Sequence, residues 1–267
     1  QPKYLSRYDS YMIMMSIYGD KEANLTYKAY DASTGTIYPS VSLSDNAANT
    51  FAADKAVGSF KNPVIFTPKN EIEQDLSMDK AGWKWFSLYA APADATPSVI
   101  FKDAKDAIST LTNGQTTIIN WMGNMVMNNY ATMYKLNAVK AYEENFVGTP
   151  TDPAAIEISL KKNGWSWIGY PVQASNSVSA AFADAAPVDG DIVKSQSAFA
   201  IYTDGEWVGN LTAMVPGEGS LYKSEATADK TFHFPKPAVS GKRAANFSQA
   251  LPLNAKENMT MIAVVMN

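Results

Sequence analysis

The chain holds a single histidine, His233, set between Phe232 and Phe234. With no cysteine in the sequence, a Ser–His or Cys–His nucleophilic pair has only this imidazole to draw on. A histidine between two phenylalanines reads as a strand residue rather than a general base. The carboxylates that could form a glycosidase pair are Asp184, Asp189, Asp191, Glu206 and Glu218. They fall at turns and strand ends, where Asp and Glu solvate loops. Asp189-Gly190-Asp191 and Asp204-Gly205-Glu206 could offer oxygen ligands to calcium, but neither fits the helix–loop–helix binding loop, and turn chemistry accounts for both. The expectation is no catalytic residue, no metal site and no cofactor, with calcium the one ion for which the residues leave room. Met122, Met125 and Met127 have no His or Cys support for copper and read as loose core packing or an adaptable contact surface.

The tryptophans carry more information. An indole offers a sugar ring a flat apolar face with a polar edge. Six Trp and fourteen Tyr therefore make carbohydrate binding an alternative function, with Trp121 and Trp207 as the candidate glycan contacts. Against this, Gly82-Trp83-Lys84-Trp85-Phe86 returns as Gly164-Trp165-Ser166-Trp167-Ile168, 82 residues later. Asn120-Trp121-Met122-Gly123-Asn124 returns as Glu206-Trp207-Val208-Gly209-Asn210, 86 residues later, and Met133-Tyr134-Lys135 as Leu221-Tyr222-Lys223, 88 residues later. Recurrence at matched places is what a shared core demands. Trp83, Trp85, Trp121, Trp165, Trp167 and Trp207 are accordingly expected to be the structural core of a duplicated module.

The elements that must position these residues follow from periodicity. Two modules are set at 71–158 and 159–237. Each opens on the Gly-Trp-x-Trp strand, passes through an amphipathic helix and continues in strands. In the first, Thr96-Pro97 predicts a helix start that leads through Val99, Ile100, Ala104, Ala107, Ile108 and Leu111. In the second, Ser175 or Ser177 caps a helix carrying Val178, Ala181, Phe182 and Ala185. Strands are expected at Asp191–Tyr202, Trp207–Met214 and Gly219–Lys223, punctuated by turns at Asp189-Gly190, Asp204-Gly205 and Pro216-Gly217. The N-terminal flank alternates as strands at Tyr11–Tyr18, Leu25–Tyr30 and Thr36–Tyr38, with Asp31–Gly35 as a turn and Asn62–Phe66 closing the segment. Asn258–Val265 is one more apolar strand, which cannot stand alone and must pair with something.

Hydrophobic residues make up 46% of the chain and charged residues only 18%, a balance that suits exposed sheet surfaces and excludes disorder. The net charge of −4 offers no basic stripe to phosphates, so nucleic acid is excluded as a partner. The longest apolar runs are too short to span a bilayer as helices. Beginning at Gln1 rather than Met, the sequence reads as a processed chain or a fragment.

The second module resembles secreted, multi-repeat surface proteins of Bacteroidota. These carry a Gly-Trp-x-Trp-Ile-x-Tyr/Phe-Pro strand, then Asp-x-Ile-x-Ser-Gln, Trp-x-Gly-x-Leu and Gly-x-x-Tyr. Here those are Gly164–Pro171, Asp191–Gln196, Trp207–Leu211 and Gly219–Tyr222. The first module departs from the pattern, for its Ser-Gln element is not recognisable. The resemblance implies that Asn258–Val265 is the opening strand of an immunoglobulin-like unit and that 16–31 is the closing part of one. It implies an extracellular or cell-surface location and an adhesive or scaffolding role.

The sequence thus predicts a mainly β protein with short helices: tandem small antiparallel β domains plus an immunoglobulin-like β-sandwich unit formed in part by the chain ends. That unit would be residues 1–70, completed by strand 254–267 at the end of a 238–267 linker segment. Met259, Met261, Ala263 and Val265 are the candidate strand-exchange residues, pairing within the chain or with the next molecule to polymerise head-to-tail. The expected partners are protein, self or glycan, and the expected function is non-enzymatic.

Overall fold

Apolar and polar residues alternate cleanly along the longest N-terminal strand, and this alternation organises the first part of the molecule. The computed structural model describes residues 3–8, 10–12, 14–17, 22–31, 36–236 and 260–266. Two units separate by their internal packing: Gln1–Ile72 with Ala245–Asn267, and Glu73–Ala244.

In the first unit, β1 (Lys3–Leu5) and β2 (Ser10–Met12) pair antiparallel. β3 (Ala23–Asp31) buries Leu25, Tyr27 and Ala29 and exposes Asn24, Thr26 and Lys28, the period of a half-buried strand. β4 (Thr36–Tyr38) pairs with β3. β5 (Ser40–Leu43) pairs with β7 (Phe66–Lys69), and β6 (Thr50–Phe51) with the start of β3. The Tyr27 ring meets Phe66 edge-on at 5.1 Å, and its hydroxyl donates to the Ala48 carbonyl. Two expectations are corrected here. The strand placed over Tyr11–Tyr18 ends at Met12, and residues 14–17 lie outside any strand. The segment Asn62–Phe66, expected to close this alternating flank, enters a strand only at Phe66, because Asn62 is tied into a turn. There, Ser59 N–H donates to the Asn62 carbonyl at 2.9 Å and Asn62 N–H to Ser59 Oγ at 3.1 Å, and Pro63 has no N–H for a ladder. Of the turn expected at Asp31–Gly35, residues 32–35 lie outside the described residues.

The second unit holds both modules. The first contains β8 (Ile72–Asp75), β9 (Gly82–Phe86), β10 (Ala90–Pro92), the one-turn helix α1 (Pro97–Ile100), β11 (Ile108–Thr112), β12 (Thr117–Ile119), β13 (Tyr134–Ala138) and β14 (Asn145–Pro150). The second contains β15 (Ile158–Leu160), β16 (Gly164–Ile168), β17 (Asn176–Ser177), α2 (Val178–Ala181), β18 (Ile192–Lys194), β19 (Phe199–Thr203), β20 (Glu206–Gly209), β21 (Ala213–Met214), β22 (Ser220–Ser224) and β23 (Lys230–Phe232). Each module is built on one principal antiparallel sheet. The orders are β9-β13-β11-β12 and β16-β22-β18-β19-β20, so the duplicated strands occupy matching places. Small accessory sheets, β10-β14-β8 and β15-β23, accompany them.

Each module has its own core. One gathers Phe86, Leu88, Phe101, Leu111, Tyr134 and Leu136 with their neighbours, the other Ile168, Tyr170, Phe182, Val193, Tyr222 and Phe232. Burial pushes the Tyr134 and Tyr170 phenols up to about 12, so both remain neutral hydrogen-bonding groups. The register corrects one sequence match. Gly82 faces Ala138 and Gly164 faces Ser224, so the structural offset of the tyrosine strands is 86, not 88, and Tyr222 corresponds to Leu136 rather than Tyr134.

The first helix is shorter than its pattern. Ile108–Thr112 is a strand, and α1 stops at Ile100. The reason is a buried carboxylate. Glu144 Oε2 accepts Asp103 N–H at 2.9 Å and Ala104 N–H at 3.1 Å, taking two donors that a continuing helix would use internally. β-Branched Ile108, Thr110 and Thr112 then favour a strand. In the second module Ser177 is the cap, its Oγ accepting Ala180 N–H at 3.2 Å. The single strand expected at Asp191–Tyr202 is a hairpin instead, folded at Ser195–Ala198.

The last strand, β24 (Thr260–Met266), returns to the first unit. It pairs antiparallel with β3 along nearly its whole length, from Thr260 opposite Asp31 to Met266 opposite Leu25. Met261, Ala263 and Val265 stand opposite Tyr30, Lys28 and Thr26, while Met259 lies outside the described residues.

Candidate functional site

The strands β9 and β16 are the terminal strands of their sheets, and they meet at the seam between the modules. The contact is reciprocal. Ser87 N–H donates to the Gly217 carbonyl at 3.0 Å, and Gly169 N–H donates to the Ala131 carbonyl at 2.9 Å. Ser87 and Gly169 are 82 residues apart, as are Gly82 and Gly164. Ala131 and Gly217 are 86 apart, as are the paired strands β13 and β22. The two bonds are therefore one interaction made twice with the modules exchanged, the pattern of an isologous interface inside one polypeptide. Gly169 must be glycine here, because a Cβ would lie 2.5 Å from the Tyr130 carbonyl oxygen and 2.6 Å from that of Thr132.

The seam corrects the expectation for the Gly-Trp-x-Trp indoles. Strand alternation sends Phe86, Ser166 and Ile168 into the cores and the tryptophans to the opposite face. Trp83 and Trp165 are 49% and 44% exposed, and Trp85 and Trp167 are half-buried. The motif recurs because the outer face at the seam recurs, not because the rings fill a core. Only Trp121 and Trp207 pack against the cores, and they do so equivalently. Trp121 lies 6.1 Å from Phe101 and Trp207 lies 5.6 Å from Phe182, the two phenylalanines that end α1 and α2. Trp121 Nε1 also donates to the Lys105 carbonyl at 2.9 Å. The pair singled out as glycan contacts is thus half-buried and committed to packing, while the exposed indoles are Trp83 and Trp165.

Side chains that spacing alone did not single out complete this outer face. The Lys135 ammonium lies 4.0 Å from the Trp85 ring centre and 4.3 Å from that of Trp167, bridging the modules. Burial, and after it the nearby charge of Lys194, hold its pKa below the usual lysine range. Gln196 clamps the free edge of β9. Its Oε1 accepts Trp85 N–H at 2.9 Å and its Nε2 donates to the Trp83 carbonyl at 2.7 Å. The Ser-Gln element is therefore a turn, closed by Ser195, followed by an edge cap. In the first module the matching position is Gly114. Its backbone is left-handed at φ +87, and a Cβ there would stand 3.0 Å from the Trp167 ring. That close approach explains why the first module lacks the glutamine.

The buried polar groups are fixtures of this frame. Asp191 Oδ2 accepts Val188 N–H at 3.1 Å and the Tyr222 hydroxyl at 2.7 Å, and Oδ1 accepts Glu225 N–H at 2.7 Å. Both carboxylate oxygens of Asp191, one of the candidate calcium ligands, are thus engaged by protein donors. Gln74 Oε1 accepts Tyr89 N–H at 3.0 Å while its Nε2 donates to the Ser87 carbonyl at 2.7 Å. Burial raises the pKa values of Glu144 and Glu218. His233 donates its backbone N–H to Asp184 Oδ2 at 3.2 Å, a strand-end contact. Among the described residues no group of three or more His, Cys, Asp or Glu is placed to hold a metal ion, and no helix is long and apolar enough to cross a membrane.

No protein-family model matches the chain, and neither a curated protein nor a solved structure matches it.

Proposed function

We propose that the chain is a non-enzymatic structural and adhesive module of the cell surface or extracellular space, of the same kind as the multi-repeat Bacteroidota proteins its second module resembles. The observation that carries this reading is the pairing of β24 with β3, which brings the two ends of the sequence into one sheet. A strand that reaches its sheet from the far end of the chain can be offered to the next copy in the same register, which gives head-to-tail assembly. The buried carboxylates support a scaffold over an enzyme, since Asp191 and Glu144 spend their oxygens on backbone donors and a tyrosine hydroxyl. Partners on this reading are a second copy or another surface protein.

The test is removal of residues 254–267. The expected result is a lower melting temperature and a changed elution position in size-exclusion chromatography at high protein concentration. A truncated chain that melts and elutes as the full chain does would remove the strand from any role in stability or assembly. The carbohydrate-binding alternative gains a specific observation in the exposed Trp83 and Trp165.

A further inference from the structure

The joined outer faces of the two principal sheets have an unusual composition for an acidic chain. The register places Trp85, Lys135 and Thr112 in one row, and Trp167, Leu221 and Lys194 in another. Beside these run the rows that start at Trp83 and Trp165, the second passing through Lys223. Lys135, lying over both Trp85 and Trp167, shows that the two sets of rows form one surface. Same-face neighbours along a strand are about 6.6 Å apart, so Trp83 and Trp165 extend the aromatic row one step on each strand.

The cations on this surface are not neutralised in the usual way. Lys223 pairs with Glu225. Among the described residues Lys135 and Lys194 have no carboxylate within ion-pair distance. They lie near enough to repel one another, on a chain whose net charge is −4. An anion placed beside them would relieve that repulsion, and indole faces beside it would take the apolar face of a ring.

We propose that this face binds an acidic polysaccharide, with sugar rings stacked on Trp83 and Trp165 and a carboxylate or sulfate held by Lys135 and Lys194. A polynucleotide also offers rings and charge, but its charge sits on the backbone and not on the ring that stacks. A uronic acid or sulfated sugar carries its charge on the stacking ring itself, which suits a lysine that stands directly against the indoles. The proposal goes beyond the scaffold reading and does not involve β24, so the truncation described above leaves it intact, and its own failure leaves the scaffold reading intact.

The test is affinity electrophoresis and calorimetry of the full chain against polygalacturonate. Dextran serves as the neutral control, poly-L-glutamate as the non-sugar polyanion and oligo(dT) as the nucleic acid. The expected result is binding to polygalacturonate that exceeds binding to all three controls and weakens as salt rises from about 50 to about 300 mM. The double variant Trp83→Ala/Trp165→Ala, whose exposed side chains should leave the melting temperature unchanged, should bind about tenfold more weakly. Lys194→Gln should lose about threefold and most of the salt dependence. Absence of binding to polygalacturonate, equal binding to poly-L-glutamate, tighter binding to oligo(dT), or a double variant that binds as the parent does would each overturn the assignment.

Discussion

The two modules of the second unit share a strand order, a one-turn helix ended by a phenylalanine, and a tryptophan packed on that phenylalanine. They differ at the seam. Where the second module extends Gln196 onto the edge of β9, the first has Gly114 beneath Trp167. Where the first has Lys135 between two indoles, the second has Leu221. Backbone contacts were kept and side-chain contacts diverged. A reciprocal interface tolerates this, because each half needs only its own space filled, and the divergence leaves one aromatic, cationic face rather than two equal ones.

The comparison can be broken hardest at the cores. Phe182 touches Trp207, Tyr222, Phe232 and Phe234, whereas Phe101 touches Phe86 and Trp121. Phe182→Ala should cost about 4 kcal/mol and Phe101→Ala about 3 kcal/mol in urea unfolding. Equal losses would show that the two cores are interchangeable in energy as well as in place. Gly169→Ala attacks the seam directly and should cost about 2–3 kcal/mol, since the added methyl meets backbone rather than a flexible side chain. A neutral result would mean that the modules dock without close approach. Smaller still, Gln196→Ala removes two hydrogen bonds from an exposed edge and should cost about 1 kcal/mol. Gly114→Ala should cost a similar amount for the opposite reason, by adding bulk at positive φ.

The smallest effect is one of pH. Burial holds the Glu144 carboxyl above the usual carboxylate range. A folded-state pKa above the unfolded value gives stability that is present at acid pH and lost as pH rises through the folded value. Wild type should therefore lose stability relative to Glu144→Gln on going from about pH 4 to about pH 7. A difference that is flat or rises with pH would mean that the two backbone N–H donors outweigh burial.

Much of this organisation could be read from the residues, but the faces could not. The Gly-Trp-x-Trp repeat located β9 and β16, and Ser177 located the cap of α2, because both signals are local. The repeat predicts buried indoles, yet strand alternation gives two faces without saying which is inside. Phe86 and Ile168, one residue beyond each second tryptophan, take the inner face. The pattern from Val99 to Leu111 predicts one long helix, because what ends it, Glu144, arrives from a distant part of the chain. The place of Lys135 is not legible for the same reason, since its second ring belongs to the other module. Gln196 was visible as part of a motif, but its partner strand lies more than a hundred residues away.

The reciprocal bonds of Ser87 and Gly169 carry a consequence for history and for engineering. A lone module cut from this chain would expose the edge that its sibling now covers, and its natural remedy would be to embrace a second copy of itself through that same pair of bonds. The present arrangement is then a homodimer written into one polypeptide. Joining the partners converts a concentration-dependent encounter into a permanent one, with an effective local concentration of the order of millimolar, and it frees each half to drift away from perfect symmetry.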